Sequence, residues 1–328
     1  MHRPSSFLRR LLPALALCAA AMAPGLASAA YPEAPIKMIV AYAAGGGTDI
    51  TARLLAQYTQ KHLGGDASIV VINRPGAGGG IGFTELTNAK PDGYTIGFIN
   101  TPNVLTIPIE RKSSFHWQNF DLIGNIVDDP GNFSVHADTP IKNLADLVAY
   151  AKANPGKVTY GTTGIGSDDH LAALMFERAA GVKLTHVPFK GAAEVHNAIA
   201  SKQIMLAAMN IGEALQYEKG GTPLRHLGQM SDKRSTLAPN VPTFKEQGFD
   251  VIMASLRGVA APKNLPPAIR EQLVNAVHKA VNDPEFRQKA AGYFAPIRYL
   301  APTAYATELK DGEAEFKKLW QANPWTDK

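Results

Sequence analysis

The sequence predicts an α/β protein of two units, each a doubly wound sheet flanked by helices. Three observations predict it. Short apolar runs rich in β-branched residues alternate with helical patterns, as a parallel sheet with crossover helices requires. Glycine-rich segments follow several of these runs, at the carboxyl ends of strands where open α/β sheets bind their ligands. And 328 residues exceed what one ordinary hydrophobic core organises.

The chain opens on a leader rather than on the fold. Arg3, Arg9 and Arg10 form a positive start, Leu11 to Ala21 an apolar stretch too short to span a bilayer, and Ala27-Ser28-Ala29 a small-residue cleavage signal. Residues 1–30 are therefore expected to be a cleaved signal peptide that sends the protein to the periplasm. The single cysteine, Cys18, lies in this leader, and the bulky Leu17 before it argues against lipid attachment. Without it the chain has no thiol, which excludes disulfides, thiolate metal sites and cysteine nucleophiles. The formal charge is +5; of 33 basic side chains the leader takes three, leaving 30 against 28 acidic ones, or +2. No Lys/Arg run remains for a nucleic-acid face, and no solenoid repeat is present.

The first unit reads β-α-β-α-β. Ile36 to Tyr42 is a strand that ends in Ala44-Gly45-Gly46-Gly47-Thr48-Asp49, and a helix follows from Asp49 to His62 with Ile50, Leu54 and Tyr58 on one stripe. Ser68 to Ile72 is the second strand, followed by Pro75-Gly76-Ala77-Gly78-Gly79-Gly80, a short helix to Lys90, a Pro91-Asp92-Gly93 turn and a third strand, Thr95 to Asn100. In the second unit Phe133 to His136 is a strand, and Asn143 caps a helix to Asn154, with Asp146 in the capping-box position. Lys157 to Tyr160 leads into Gly161-Thr162-Thr163-Gly164-Ile165-Gly166-Ser167 and a helix from Asp168 to Ala180. Leu184 to Val187, Ile204 to Met209, Leu224 to Gly228 and Val251 to Ser255 complete the strands, and the chain from Pro266 onward is mainly helical.

The glycine loops point to anion binding, because glycines after a strand leave N–H groups free and the next helix adds its positive end. Nucleotide fingerprints fail: Ile50 and Ile81 stand where a final glycine is needed, and no Gly-Lys-Ser/Thr occurs. Asp49 is expected to cap its helix, with ligand contact as its second role. Ser167 is expected to cap the helix at Asp168. It lacks the Gly-x-Ser-x-Gly elbow of a hydrolase, and His170 one turn on reads as a packing or hydrogen-bonding residue. The scattered histidines show no i, i+4 pair for zinc, and Asp128-Asp129 and Asp168-Asp169 read as solvated turn or cap residues. Lys190, after Val187-Pro188-Phe189, reads equally as a cleft charge or a surface lysine. Arg257 closes a strand re-entering the first unit, where its guanidinium would hold a carboxylate or bridge to a protein acid.

Taken in order, these segments resemble the Bug family, receptors of tripartite tricarboxylate transporters. The resemblance lies in Ala44-Gly45-Gly46-Gly47-Thr48-Asp49, Asn73-Arg74-Pro75-Gly76-Ala77-Gly78-Gly79, Pro91-Asp92-Gly93-Tyr94-Thr95, Ala151-Lys152-Ala153-Asn154-Pro155-Gly156-Lys157, Val187-Pro188-Phe189-Lys190-Gly191, Pro239-Asn240-Val241-Pro242-Thr243 and shorter matches between them. It implies a two-lobed periplasmic-binding-protein fold of type II, with crossovers near Asp129–Phe133 and Asp250–Gly258. Residues 31–130 and 254–328 would form lobe 1, and residues 131–253 lobe 2. It implies a closing cleft that catalyses nothing, needs no cofactor or metal, and delivers a small organic acid to a large and a small membrane subunit. In similar proteins one carboxylate is held by the two glycine loops, here Ala44, Gly45, Gly46, Thr48, Asp49, Gly76, Ala77, Gly78 and Gly79. Opposite them stand Thr162, Thr163, Ser167 and Asp168, with Asn210 and Lys190 as further contributors. Where the family commonly has an aromatic residue, this chain has Leu256 followed by Arg257, which suggests a roomier pocket and a dicarboxylate, plausibly aromatic, with its second carboxylate near Arg257. A monomer is expected. The alternatives are a ligand-sensing partner of a membrane kinase and an exported hydrolase using Ser167 and His170.

Overall fold

The computed structural model describes residues 31–322 and 324–326, so the expected leader, with Cys18, lies outside the described residues. Among the described residues no helix is long and apolar enough to cross a membrane.

In lobe 1, the apolar run β1 (Ile36–Val40) is buried at every position but Lys37 and lies between two parallel neighbours, β2 (Ile69–Asn73) and β3 (Thr95–Asn100). Burial on both faces explains why β1 and β3 read as continuous apolar runs rather than as alternating ones. Beyond β3 the sheet turns antiparallel, with β9 (Ala254–Pro262) and then the first part of β4 (Phe120–His136), giving the order β2-β1-β3-β9-β4. Helices α1 (Gly47–Leu63), α2 (Gly80–Thr87) and α3 (Asn103–Glu110) follow β1, β2 and β3 in turn.

The 17-residue β4 runs through both lobes. Phe120 to Pro130 pair with β9; Gly131 to Val135 pair with β7 (Leu206–Asn210), and Asn132 to His136 with β8 (Leu224–Gln229). The second lobe adds β5 (Thr159–Thr162) and β6 (Thr185–Pro188), so its order is β6-β5-β7-β4-β8. The two orders share a pattern: three parallel strands, one antiparallel strand arriving from the other lobe, and a further strand antiparallel to that one. Helices α4 (Leu144–Ala153), α5 (Asp168–Ala180), α6 (Ala192–Ala200) and α7 (Ile211–Lys219) flank this sheet. After β9 come α8 (Pro267–Asn282), α9 (Pro284–Gly292), β10 (Ile297–Leu300) on the edge of β4, and α10 (Pro302–Ala322).

The apolar interior is divided accordingly. The largest cluster runs from Ile36 to Val127 and from Leu256 to Leu309, and a second is built on Phe133, Tyr160, Phe176 and Phe244. The C-terminus departs from the expected division of the chain. Tyr305 and Leu309 of α10 belong to the first core, whereas Trp325 is sealed into the second.

Several local expectations match closely: Thr95–Asn100 and Asp168–Ala180 are a strand and a helix at those bounds, and Asn143 Oδ1 accepts from Asp146 N at 2.8 Å. Two need correction. The strand expected over Val251–Ser255 begins at Ala254 and continues to Pro262, which moves Arg257 into its middle. The first part of β4 was not expected at all, because Asn125, Asp128, Asp129, Pro130 and Gly131 give it the composition of a loop.

Candidate functional site

The loop from β1 to α1 forms the lobe 1 wall of the cleft. Gly45 holds a left-handed φ of 85°, and Gly46, not Asp49, occupies the N-cap position of α1 in an extended conformation. Asp49 sits in the first turn instead and reaches back, as the acid of a capping box does. Its Oδ2 accepts from Gly45 N at 3.0 Å and from Arg53 Nε at 3.0 Å, and its Oδ1 accepts from Asn73 Nδ2 at 2.9 Å. Burial opposes its charge, but these donors more than offset that and hold its pKa below the ordinary value. Thr48 Oγ1 accepts from Asn100 Nδ2 at 2.8 Å, which fixes the loop to the end of β3.

The second glycine loop has a different task from the first. Gly76, Ala77, Gly78 and Gly79 all have positive φ, so the chain curls tightly toward lobe 2. A Cβ on Gly78 would lie 3.3 Å from Ile165 O, and one on Gly164 would lie 3.2 Å from Gly78 Cα. The two loops therefore meet backbone to backbone across the cleft mouth. In lobe 2, Thr162 Oγ1 accepts from Gly164 N at 3.2 Å and bonds with His186 Nε2 at 2.6 Å. Thr163 donates to Asp169 Oδ2 through both its N–H and its hydroxyl. Ser167 Oγ is fully buried and accepts from His170 N at 3.2 Å, the expected cap.

The charged centre of the cleft lies on β9, β4 and the starts of α5 and α7. Arg257, 3% exposed, donates from Nη2 to Asn210 Oδ1 at 2.8 Å and lies 3.2 Å from Asp129 Oδ2 and 3.4 Å from Glu213 Oε1. Asn210 Nδ2 donates to Asp168 Oδ2 at 2.7 Å and to Asp129 O at 2.8 Å, and Gly212 N donates to Asp129 Oδ1 at 3.0 Å. The carboxylate of Glu213 crosses the cleft and accepts from Gly47 N, at the N-terminus of α1, at 2.8 Å.

Of the two partners the sequence leaves open for Arg257, a carboxylate or a protein acid, protein acids take it here, so it enters the cleft already neutralised. One expectation changes. Asp129, Asp168 and Asp169 are buried rather than solvated. Burial pushes the Asp129 pKa up to about 7 against the pull of Arg257, with Glu213 adding to the rise. Burial likewise raises Asp168, despite Asn210 and Arg257, and raises Asp169, with Asp168 and Glu213 as like-charged neighbours. Around Arg257 the acids outweigh desolvation, and its pKa lies above the ordinary arginine value.

Of the expected contacts, Gly46, Thr48, Asp49, Thr163, Asp168, Asn210 and Arg257 line one cavity. Ala44 and Gly45 are exposed beside it; Gly76, Ala77, Gly78 and Gly79 form the mouth contact; Thr162 and Ser167 are spent inside lobe 2; and Lys190 is exposed. The sequence reading missed Tyr42, Asn100, Asn103, Ala192, Glu213 and Ser255, which also line the cavity, as does Gly47 of the first glycine loop. Asn100 closes β3, so the strand-end rule that found the glycine loops would also have found it. With the lobes closed on their own side chains, about 20 Å³ remains for the centres of water molecules, room for about one water. Among the described residues no three His, Cys, Asp or Glu side chains are placed to hold a metal ion.

The N-terminal turns of α1, α5, α6 and α7 all contribute to this cavity, through Gly47, Asp168, Ala192 and Glu213. Four positive helix ends converging between two lobes favour negative charge.

Comparisons with known proteins agree on the family. The sequence profile of the tripartite tricarboxylate transporter family receptors matches residues 51–297. A UPF0065 protein in the gbd 5′ region of Cupriavidus necator is 36% identical over 279 residues, covering 84% of this chain and 83% of the relative. The solved periplasmic binding protein BugD is 31% identical with a TM-score of 0.84, covering 91% of this chain and 100% of that one. An R. palustris protein solved with adipate is 26% identical with a TM-score of 0.83, covering 89% and 97%. The chain belongs to the tripartite tricarboxylate transporter receptor family, a family of solute-binding receptors rather than enzymes.

Proposed function

We propose that the protein is a periplasmic receptor, exported through its leader, that captures a small organic carboxylate between its lobes. It would deliver that ligand to the large and small membrane subunits of a tripartite tricarboxylate-type transporter. One observation carries the carboxylate reading: a carboxylate, that of Glu213, already sits on the N-terminus of α1, hydrogen-bonded to Gly47 N at 2.8 Å. The first glycine loop thus holds the chemical group a ligand would present, and a ligand carboxylate would take the same place once Glu213 turns aside.

A dicarboxylate is the finer form of this reading, supported by the adipate in the R. palustris relative. Its second carboxylate would have to share Arg257 with Asp129 and Glu213.

A thermal-shift screen of the purified protein against mono-, di- and tricarboxylates tests the carboxylate reading, followed by calorimetry on each acid that stabilises it. A true ligand present at a hundred times its Kd stabilises the fold by about 2.7 kcal/mol. Failure of every organic acid to shift the melting temperature overturns the reading.

A further inference from the structure

The two strands that carry the chain between lobes have a second face. Along β9, Ser255 and Arg257 line the cleft, whereas Ala254 and Leu256 line a groove on the other side of the strand. On β4, Asp129 joins Arg257 at the centre of the cleft, and Asp128 lines the groove. Successive side chains of a strand point to opposite faces, so cleft and groove lie back to back across one crossover. The groove has about 490 Å³ open to the centres of water molecules, against about 20 Å³ in the closed cleft. A rotation about the crossover strands that brings the lobes together on one side parts them on the other. The shut cleft and the open groove are therefore two sides of one state.

The walls of the groove differ in chemistry. Lobe 2 contributes Met175 and Ile252, the latter 43% exposed, and the later turns of α10 add Phe316 and Leu319, both half-buried. The wall along α10 is acidic: Glu308, Asp311 and Glu315 share one stripe of the helix, about 10 Å from end to end. Arg298 is the one basic side chain lining the groove, and it is taken up by Asp128 at 2.9 Å and Glu308 at 2.5 Å. Asp311 and Glu315 stay exposed, and among the described residues no ion pair engages them. Helix α10 itself spans the lobes, with Tyr305 and Leu309 in the first core and Phe316 and Leu319 packed against the second.

We propose that this groove is a docking surface for a basic amphipathic segment of a partner protein. The segment's apolar side chains cover Met175, Ile252 and Leu319, and its lysines or arginines meet Asp311 and Glu315, the charges this chain leaves uncompensated. Because both lobes line the groove, the segment binds the closed form better than the open one, and closing the cleft strengthens docking by the same factor. The partner thereby reads the state of the cleft from behind the hinge. Nothing in this depends on what the cleft captures, so it stands or falls apart from the carboxylate reading.

The test uses a fluorescein-labelled peptide with leucines on one helical face and lysines on the other, and a second peptide in which glutamates replace the lysines. Fluorescence anisotropy measures both against the purified protein and against Ile252→Glu and Glu315→Lys, two exposed positions whose variants are checked for folding by thermal unfolding. The expected result is saturable binding of the lysine peptide that weakens with added salt and falls at least tenfold in each variant. Binding should also be weaker to Gly47→Ala, whose Cβ would lie 2.7 Å from Glu213 Oε1 and loosen the closed cleft. Absence of saturable binding overturns the proposal, and so does equal binding of the glutamate peptide or equal binding to either groove variant. Binding to Gly47→Ala as tight as to the unsubstituted protein overturns the link between groove and closure.

Discussion

Replacing Arg257 with alanine removes the one cation in a pocket of buried acids, and the cost can be worked from the contacts. The side chain is 3% exposed, with Asn210 at 2.8 Å, Asp129 at 3.2 Å and Glu213 at 3.4 Å. Breaking one side of a buried ion pair costs about 3–5 kcal/mol, because the partner's charge is left in a medium that does not solvate it. The pH dependence carries more information. Asp129 has a folded-state pKa of about 7, above its unfolded value of about 3.8. The native state therefore keeps a proton that the unfolded chain has released, and stability falls as pH rises between those two values, then levels off above 7. Without Arg257 the Asp129 pKa moves higher still, so the fall continues past pH 7 by about 1.4 kcal/mol for each further unit. Urea denaturation at pH 5.5 and pH 8 measures both curves. The expected result is a loss of about 3–5 kcal/mol at pH 8 and a clearly smaller loss at pH 5.5, with the difference much reduced in the Asp129→Asn background. A loss below about 1 kcal/mol, or one equal at the two pH values, would refute the reasoning.

Two further substitutions probe closure and packing. A Cβ on Gly47 would collide with Arg257 Nη1 and lie 2.7 Å from Glu213 Oε1, so Gly47→Ala should push Glu213 off the α1 N-terminus; losing a charged hydrogen bond of about 1.5–3 kcal/mol shifts the lobes roughly tenfold to a hundredfold toward the open form. Small-angle scattering should then show a larger radius of gyration than for the unsubstituted protein, and an unchanged radius with unchanged stability would count against the interlobe bond. Trp325 is 1% exposed in the lobe 2 core, beside Leu171, Leu174 and Met175, so Trp325→Ala should cost about 3–5 kcal/mol; a melting temperature within a degree of the parent's would show that the C-terminus does not brace that lobe.

How far the site could be read from sequence depended on which physical signal each residue carried. Glycine loops at strand ends and Ser167 before Asp168 announce themselves locally, through backbone freedom and capping chemistry, and the structure places Gly46, Thr48, Asp49 and Asp168 at the cleft. Glu213 carries no such signal. It is an ordinary acid in the first turn of an ordinary helix, and what distinguishes it is Gly47, 166 positions earlier in the chain. The first part of β4 was hidden for a related reason. Its polar residues are buried because their partners lie far off in sequence: Asn125 Nδ2 donates to Arg298 O at 2.9 Å, and Asp129 faces Arg257 and Gly212. Composition reads such a stretch as loop, since it records polarity without recording where the partners are. Arg257 was seen as important with two partners left open, a carboxylate or a protein acid, because one chain read in order does not show which acid a guanidinium will meet.

The placement of that ion pair links binding to movement. Asp129 and Arg257 lie on β4 and β9, the two strands through which the chain passes between lobes, and these strands pair with Asp129 opposite Ser255 and Val127 opposite Arg257. Glu213, which completes the cluster, belongs to lobe 2 and bonds to lobe 1. A ligand that takes over the α1 N-terminus must therefore change the partners of Glu213, and through Arg257 it changes the charge balance at the crossover strands themselves. A ligand shifts a conformational equilibrium only by its difference in affinity for the two states. Here that difference arises in one set of contacts, because the Gly47–Glu213 bond forms only when the lobes are together. On the proposed carboxylate reading, ligand and Glu213 would contend for the same N–H group, and closure by the ligand would have to replace the interlobe bond that Glu213 gives up.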